Sequence, residues 1–430
     1  MTVLKPLLQI AGMGLAAVLT AAPAQAGNEE FANFPWIPYD HPAIQYLKQT
    51  PNDPVSRLQR DLDSGKIKLK YDAKRGYLPD LLKRLDINTD SQVLVFTKTS
   101  FQFPLISPAK PRALYFTDNL YVGSVQNGEV LELMALDPKQ GEQFYTLDIQ
   151  PSQQPTFIRR DMACLQCHMS PGALNIPGLL ISSSYPGPDG TPASRGAQEI
   201  TDHRTPLDER WGGWYVTGTA GELQHRGNAV SHNLQFDSSN SQNLTSLQGK
   251  FDISTYLEPT SDIVALMTLE HQTRMTNLIT RFGWEARIAQ AEGKLDAFQE
   301  RLSFGVDQIV TYMLFADEAK IRDPIVGNST FTKTFPQRGP RDKKGRSLRD
   351  FDLHTRLFRY PLSYMIYGET FDSMPDLVRE AVYRRLYDVL AGKDTSPKYA
   401  RLSAEDRQNV REILLDTKPS LPGYWRTGRN

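Results

Sequence analysis

The stretch Cys164-Leu165-Gln166-Cys167-His168 contains both cysteines of the 430-residue chain and one of its seven histidines. It also divides the chain, because most of the strand patterns precede it and the helical patterns follow it. Two thiols at this spacing fall within one helical turn, and a histidine directly follows the second thiol. A chain of this length can bury a large core without disulfides, so we expect these cysteines to serve a purpose other than cross-linking.

The spacing C-x-x-C-H is the attachment signature of c-type haem. In that arrangement the two thiols bond to the porphyrin vinyl groups, and the histidine lies under the iron as an axial ligand. The sequence therefore predicts one covalent haem c held by Cys164 and Cys167, with His168 as the proximal ligand. A thioredoxin-like redox pair is the main alternative and requires a βαβ unit, whereas a zinc site would require a second pair of ligands.

The N-terminal 26 residues have the pattern of a removed signal peptide. Lys5 provides a positive charge, residues 7–19 are mostly apolar, and Ala24-Gln25-Ala26 is a small-x-small cleavage site. The apolar run is shorter than the ~18 residues of a membrane span, although a retained N-terminal anchor is the alternative. We therefore expect export to the periplasm, cleavage after Ala26 and no stable membrane anchor.

The composition is that of an ordinary globular protein. Apolar residues make up 40% of the chain, and 49 basic residues balance 49 acidic ones. This balance gives no indication of nucleic acid or of an anionic membrane surface as a partner.

The fold class predicted from the patterns is α+β. Residues 27–155 are expected to form an α+β domain built on an antiparallel meander, with a short helix at 79–85. The predicted strands are 92–97, 112–116, 120–124, 130–136 and 143–147. Asn127-Gly128 and Asp137-Pro138 predict turns between strands.

The rest of the chain is predicted to form two further regions. Residues 156–258 would be a haem-attachment region of loops and strands, and residues 259–430 a mainly α-helical C-terminal half. The helical segments predicted from periodicity are 262–291, 295–320, 373–392 and 404–417. Ser261 is expected to cap the first of them, with Asp262 favouring the positive end of the helix dipole.

The loop after the motif provides a candidate partner for the proximal histidine. Pro177 lies in a Gly/Pro-rich stretch that resembles the loop of small class I cytochromes c. In those proteins a proline carbonyl accepts the N–H of the proximal imidazole, which fixes the tautomer. An ordinary turn at Pro177 is the alternative.

Further candidate haem contacts lie between residues 204 and 226. Trp211 and Trp214 flank glycines in a segment that indicates a strand lying against a large flat group, or else ordinary aromatic packing. Arg210 is a candidate to neutralise the haem propionates, as are Arg204 and Arg226. Solvated surface positions are the alternative for all three arginines.

A sixth iron ligand must come from far along the chain or be absent, because Met169 is too close to His168 to reach the opposite haem face. Met267, His271 and Met275 are possible ligands and share one face of the first C-terminal helix. A histidine within an apolar stripe is costly unless it is paired or ligated. His271 is therefore the candidate distal ligand, and a hydrogen-bonded core histidine is the alternative reading.

His225 is the rival distal ligand. Its neighbour Gly227 makes it part of a loop that can approach the iron, although a solvated loop histidine is the alternative. His203 and His232 are weaker candidates because they lie in polar segments.

The chain resembles a family of exported bacterial single-haem cytochrome c domain proteins. The resemblance covers most of the mature chain, and its stretches are 164–168, 209–219, 261–272 and 375–425. The family carries histidines at the positions of Ala220 and Thr276, so those positions cannot hold essential ligands here. The resemblance implies haem binding and electron transfer, and it implies no substrate.

Two functions follow from these observations. The first is electron transfer by a periplasmic cytochrome, with a redox partner protein that the sequence does not identify. The second is a haem enzyme, a peroxidase or oxygenase with an open distal site, in which His225 with Arg226 or His271 with Arg274 would act. The basic loop at 338–350 is either a solvated loop or a docking patch for an acidic partner.

Overall fold

The computed structural model describes residues 33–193, 198–236 and 241–427. The predicted signal peptide, residues 1–26, lies outside these ranges. Within them the chain is α+β, with an N-terminal antiparallel sheet and a helical C-terminal half, as the sequence patterns predict.

The main sheet has seven antiparallel strands in the order β6-β5-β4-β3-β2-β1-β9. Its strands are β1 (Val93–Val95), β2 (Arg112–Phe116), β3 (Leu120–Ser124), β4 (Val130–Asp137), β5 (Gly141–Asp148), β6 (Phe157–Arg159) and β9 (Trp214–Tyr215). Two small hairpins are formed by β7 (Ser182–Ser184) with β8 (Gln198–Ile200), and by β10 (Ser231–His232) with β11 (Gln235–Phe236). The last strand of the main sheet, β9, therefore comes from beyond the C-x-x-C-H motif.

The turns of the meander form where the sequence predicts them. Asn127 adopts a left-handed backbone conformation with φ 57°, which asparagine tolerates better than most residues. The Asp137 carboxylate accepts hydrogen bonds from the backbone N–H groups of Lys139 and Gln140, each at 2.8 Å. Both turns join neighbouring antiparallel strands, so the predicted meander is confirmed.

Ten helices lie in the described part of the chain. They are α1 (Pro54–Asp63), α2 (Leu78–Arg84), α3 (Met162–His168), α4 (Ile263–Ala291), α5 (Gln299–Met313), α6 (Phe331–Thr334), α7 (Glu369–Asp372), α8 (Asp376–Leu390), α9 (Ala404–Thr417) and α10 (Tyr424–Thr427). The four long helices α4, α5, α8 and α9 correspond to the four predicted segments, although α5 is shorter than predicted.

Helix α4 is the central element of the C-terminal half. Every residue from Ile263 to Trp284 is buried, so the helix is enclosed on all sides. The prediction of a single buried stripe is therefore wrong, because the polar residues between the stripe positions are buried as well. Their partners must come from inside the protein.

Asp262 caps α4, and the prediction of Ser261 as N-cap is wrong. The Asp262 carboxylate accepts hydrogen bonds from Val264 N at 2.8 Å and Ala265 N at 3.3 Å. The Ser261 hydroxyl instead accepts from Leu94 N and donates to the Tyr215 carbonyl. Ser261 thus joins the start of the helix to the sheet edge, where β1 pairs with β9.

The main sheet is covered on both faces. One face packs against α4, the other C-terminal helices and the motif helix α3, where Phe144, Leu165 and Leu278 belong to one buried core. The other face packs against α1 and α2 through Val55, Leu81 and their neighbours. No helix in the described ranges has the length and apolar character needed to cross a membrane.

Candidate functional site

The C-x-x-C-H motif lies on α3, two residues after the edge strand β6. Leu165 is buried and anchors the helix to the core, whereas Cys164 is half-buried and Cys167 is exposed. The two cysteines are free thiols. One turn of helix therefore presents two unpaired thiols on a short, anchored scaffold.

The thiol environment does not match a reactive redox pair. Burial raises the pKa of Cys164 to about 11, whereas the nucleophilic cysteine of a thioredoxin-like motif has a lowered pKa. Strand β6 pairs antiparallel with β5 at the edge of the sheet, so α3 does not follow a strand of a parallel βαβ unit. Both observations disfavour the thioredoxin-like alternative.

The His168 ring is oriented by a backbone carbonyl. Its Nδ1 lies 3.0 Å from the Gly178 carbonyl oxygen, and Gly178 N donates to the His168 carbonyl at 3.0 Å. Burial lowers the pKa of His168, which favours the neutral imidazole that binds metals. An Nδ1–H donated to this carbonyl leaves the lone pair on Nε2.

The acceptor for His168 is Gly178 and not Pro177, so the prediction for Pro177 is corrected by one residue. The Pro177 carbonyl instead lies next to Gly141 at the start of β5. The loop is held from the other side by Asn277, whose Nδ2 donates to the Leu179 carbonyl at 2.6 Å. A Cβ at Gly178 would lie 2.4 Å from Asn277 Oδ1, so a larger residue at this position would displace the Asn277 side chain.

An ion pair between β2 and β4 lies close enough to the motif to affect the pKa of His168. Arg112 and Glu132 form an ion pair at 2.9 Å, and Ser100 donates to Glu132 at 2.6 Å. Burial opposes ionisation of Glu132, but Arg112 and its hydrogen bonds outweigh this effect and lower its pKa. The charge of Arg112 lowers the pKa of His168, and the charge of Glu132 raises it. The signal in the sequence was Glu132, an acidic residue between the apolar residues Leu131 and Leu133 of β4.

An aromatic ring packs beside the proximal histidine. The Phe144 ring, from β5, lies with its centroid 4.9 Å from that of His168. Met162, at the start of α3, is apolar but 56% exposed. Its sulfur accepts a hydrogen bond from the Tyr39 hydroxyl at 3.8 Å. The surroundings of the motif therefore combine a fixed imidazole with aromatic and sulfur-containing side chains.

The three arginines predicted to bind the haem propionates form ion pairs with carboxylates of the chain. Arg210 is buried and pairs with Glu270 at 3.0 Å, Arg204 pairs with Asp202, and Arg226 pairs with Glu199. None of the contacts in the described part of the chain joins these arginines to the motif.

Trp211 and Trp214 lie inside the core. Trp211 is fully buried, with its ring centroid 5.5 Å from that of His225. Trp214 belongs to β9, and its Nε1 donates to the Ser182 carbonyl at 2.9 Å. Aromatic core packing accounts for both positions, and no described contact joins either ring to His168.

His271 is held by hydrogen bonds at both ring nitrogens. Its Nδ1 lies 2.8 Å from His203 Nδ1, and its Nε2 lies 2.8 Å from Ser363 Oγ. Burial lowers the pKa of His271 to about 3, so the imidazole is neutral at physiological pH. The Tyr312 ring stacks on His271 with a centroid separation of 5.3 Å. His271 thus has the contacts of a paired core histidine.

His225 and the two methionines are also separate from the motif. The His225 ring accepts a hydrogen bond from Gly227 N at 3.1 Å, and burial lowers its pKa to about 4. Met267 and Met275 are buried in the core around α4. Within the described ranges, no hydrogen bond or ring contact joins His168 to His225 or His271.

The described part of the chain holds no second candidate metal site, and comparison with known proteins identifies no relative. The described residues contain no group of three or more His, Cys, Asp or Glu side chains that could hold a metal ion. A haem held by thiols and one imidazole would not need such a group. No known protein-family model matches the chain, and no curated protein or solved structure is significantly similar to it.

Proposed function

We propose that this chain is a c-type cytochrome that carries one covalent haem and transfers electrons. The observation that carries the proposal is the His168–Gly178 hydrogen bond on the same short helix as two unpaired thiols. The thiols of Cys164 and Cys167 would attach the porphyrin, and His168 Nε2 would ligate the iron. When bound, the haem supplies a one-electron iron couple.

The residues around the motif fit such a group. The hydrogen bond at Nδ1 holds the imidazole in one orientation, so Nε2 is the nitrogen left for iron. Cys167 and Met162 are exposed on α3, and Phe144 packs against the His168 ring. Apolar aromatic and sulfur-containing side chains are suitable neighbours for a porphyrin face.

Electron transfer is favoured over the alternative, a peroxidase or oxygenase with an open distal site. An outer-sphere carrier needs ligands that stay in place when the oxidation state changes, and the Gly178 carbonyl restrains the proximal imidazole. A peroxidase would need a distal base with a nearby arginine. Of the two predicted pairs, Arg226 is bound to Glu199 at 2.6 Å, and His271 is bound to His203 and Ser363.

We also propose that the protein acts in the periplasm, after removal of residues 1–26, and exchanges electrons with a redox partner protein. The signal-peptide pattern and the resemblance to exported cytochromes support this location. The basic loop at 338–350 offers such a partner little free positive charge. Its six basic residues all form ion pairs within the chain: Arg338, Arg341, Lys343, Lys344, Arg346 and Arg349.

The test is expression in a bacterial periplasm together with haem-maturation factors. We expect an intact mass of one haem above the chain cleaved after Ala26, because thioethers survive denaturation. The Cys164→Ala, Cys167→Ala double variant should carry no covalent haem, whereas Gln166→Ala, on the same helix turn, should keep it. A haem-free mass for the unmodified chain under these conditions would refute the proposal.

The same preparations distinguish electron transfer from the enzyme alternative. We expect a six-coordinate, low-spin ferrous spectrum and no rapid binding of carbon monoxide. His168→Ala should lose the proximal iron ligand and change the spectrum. His232→Ala, which changes an exposed histidine, should leave the spectrum unchanged. Immediate carbon monoxide binding by the unmodified reduced protein would instead support an open distal site.

A further inference from the structure

Four large apolar side chains around the C-x-x-C-H motif are exposed. Phe101 and Phe103, between β1 and β2, are 62% and 54% exposed. Ile158, on the edge strand β6, is 48% exposed, and Met162, at the start of the motif helix α3, is 56% exposed. Proteins commonly expose single apolar side chains, but a group of them gathered on one face indicates a binding surface.

A cross-strand row of side chains leads from β6 towards the centre of the main sheet. Ile158 pairs with Thr146 on β5, and Thr146 pairs with Glu132 on β4. Side chains alternate along a strand, so Thr146 points to the same face as Phe144, whose ring packs against His168. The cross-strand row therefore lies on the motif side of the sheet, next to the proximal histidine.

The segment that carries the two exposed phenylalanines is fixed to the same row. Ser100 donates a hydrogen bond to Glu132 Oε1 at 2.6 Å, and the Gln102 amide donates to the same oxygen at 3.0 Å. Gln102 is buried, whereas its neighbours Phe101 and Phe103 are exposed. The two phenyl rings therefore project from a backbone segment that is tied to the β4 end of the cross-strand row.

Glu132 also connects this end of the row to the motif. Burial raises the pKa of Cys164, and the charge of Glu132 raises it further. Burial lowers the pKa of His168, and the same charge opposes this effect. Such charge effects weaken with distance, so the Glu132 carboxylate lies near both groups. Its ion pair with Arg112 at 2.9 Å compensates the carboxylate, so the row presents no unpaired negative charge.

The dimensions of the row suit a porphyrin. Two strand spacings, about 10 Å in total, separate Glu132 from Ile158, and this is close to the width of the macrocycle. Exposed apolar side chains lie at both ends of the row, and the motif lies beside it. The arrangement is therefore an open apolar surface of porphyrin size within reach of the thiols that would attach the haem.

We propose that the porphyrin covers the four exposed side chains, which are Phe101, Phe103, Ile158 and Met162. The inference rests on the proposed haem function and names the surface of the chain that binds the macrocycle. Aromatic, branched aliphatic and thioether side chains pack against a flat aromatic group, and their removal from water stabilises the complex. This surface takes the role predicted for Trp211 and Trp214, whose rings lie inside the core.

The test is hydroxyl-radical footprinting of the full mature chain with haem and of the haem-free double cysteine-to-alanine variant. We expect labelling of Phe101, Phe103 and Met162 to be at least about threefold lower in the haem-loaded chain, because side chains packed against a porphyrin lose most of their exposed area. Tyr71 is the internal control. It is 45% exposed and packs against Tyr77 in the core on the other face of the sheet, so its labelling should not change.

Replacement of the two phenylalanines provides a second measurement. The Phe101→Ser, Phe103→Ser double variant should keep covalent haem and have a lower reduction potential, because water at the porphyrin favours the more highly charged ferric state. Leu377→Ser is the matched control, since Leu377 is an exposed apolar residue of α8. It should leave the potential unchanged.

The outcomes separate this inference from the proposed function. Covalent haem with unchanged labelling of Phe101 and Phe103 would overturn the inference and leave the cytochrome proposal in place, whereas a haem-free mass for the unmodified chain would overturn both. If the haem-free variant does not fold, the haem-loaded chain alone decides the question. After correction for intrinsic reactivity, Phe101 should then be labelled less than Tyr71, although its exposed fraction without haem is larger. Stronger labelling of Phe101 than of Tyr71 would refute the inference.

Discussion

Glu142 on β5 is a buried carboxyl group whose two oxygens have no hydrogen-bond partner among the described residues. It is 1% exposed, and burial, together with the nearby charge of Asp53, raises its pKa to about 8. In the unfolded chain the same group has a pKa of about 4.3. Between these two values the folded protein holds a proton that the unfolded chain has lost. Stability therefore decreases as the pH rises through this window.

Glu142→Gln should remove this pH dependence, because the amide is neutral in both states. We expect the variant to be more stable than the unmodified protein at pH 8, by on the order of 4 kcal/mol. At pH 5 the difference should be only about 1 kcal/mol, because this pH lies less than one unit above the pKa of the unfolded carboxyl. Urea unfolding at both pH values measures the change.

An exposed glutamate serves as the control for this residue. Glu222→Gln should alter the free energy of unfolding little at either pH. Glu270 and Glu318 also have pKa values raised to about 7 by burial, but they are present in both proteins and cancel in the comparison. An equal effect of Glu142→Gln at pH 5 and pH 8 would contradict the assignment.

Among the structural elements, α4 depends on a single capping side chain. Both oxygens of Asp262 are used: Oδ1 accepts from the first turn of α4, and Oδ2 accepts from the backbone N–H and hydroxyl of Ser329, each at 2.8 Å. Asp262 is fully buried, so water cannot replace these bonds. The cap therefore joins the central helix to the segment that leads into α6.

Asp262→Ala should destabilise the protein by about 2 kcal/mol or more. It leaves buried N–H groups unpaired in addition to the ordinary cost of a lost cap. The comparison is Ser403→Ala, which removes the exposed cap of α9 and should cost about 1 kcal/mol. Urea unfolding of the two variants measures the difference, and equal costs would show that burial adds nothing at Asp262.

At the scale of the whole molecule, a buried ion pair joins the region after the C-x-x-C-H motif to the central helix α4. Arg210 donates to Glu270 at 3.0 Å, to the Thr205 carbonyl at 2.7 Å and to the His203 carbonyl at 2.9 Å. Burial raises the pKa of Glu270 to about 7, although Arg210 opposes the effect. Loss of the arginine would leave the glutamate buried without its cation.

Arg210→Met should therefore destabilise the fold by about 3–5 kcal/mol, and an added Glu270→Leu should restore much of the loss. Denaturant unfolding of the single and double variants gives both values. We also expect the double variant to keep covalent haem with an unchanged absorption spectrum, because Arg210 has no described contact with the motif. Altered haem bands in the folded double variant would instead support the sequence-based role of Arg210 in binding a propionate.

Local sequence patterns were sufficient to predict many of the strands and helices. The strands 112–116 and 120–124 and the helix 404–417 have the predicted bounds, because alternation, periodicity and turn residues act within a few residues of each other. The sequence did not reveal that Trp214 and Tyr215 complete the main sheet, since this pairing joins residues more than a hundred positions apart. It also did not reveal that α4 is enclosed on all sides.

The motif itself was determined by the sequence alone, because the positions of Cys164, Cys167 and His168 within one turn follow from their spacing. Only the tertiary structure decided what surrounds it. The Gly178 carbonyl meets His168 through the path of the loop over α4, and Glu132 faces the motif through the pairing of the strands. His271 and Arg210 met partners from distant segments, because buried polar groups must be satisfied by whatever the fold brings to them.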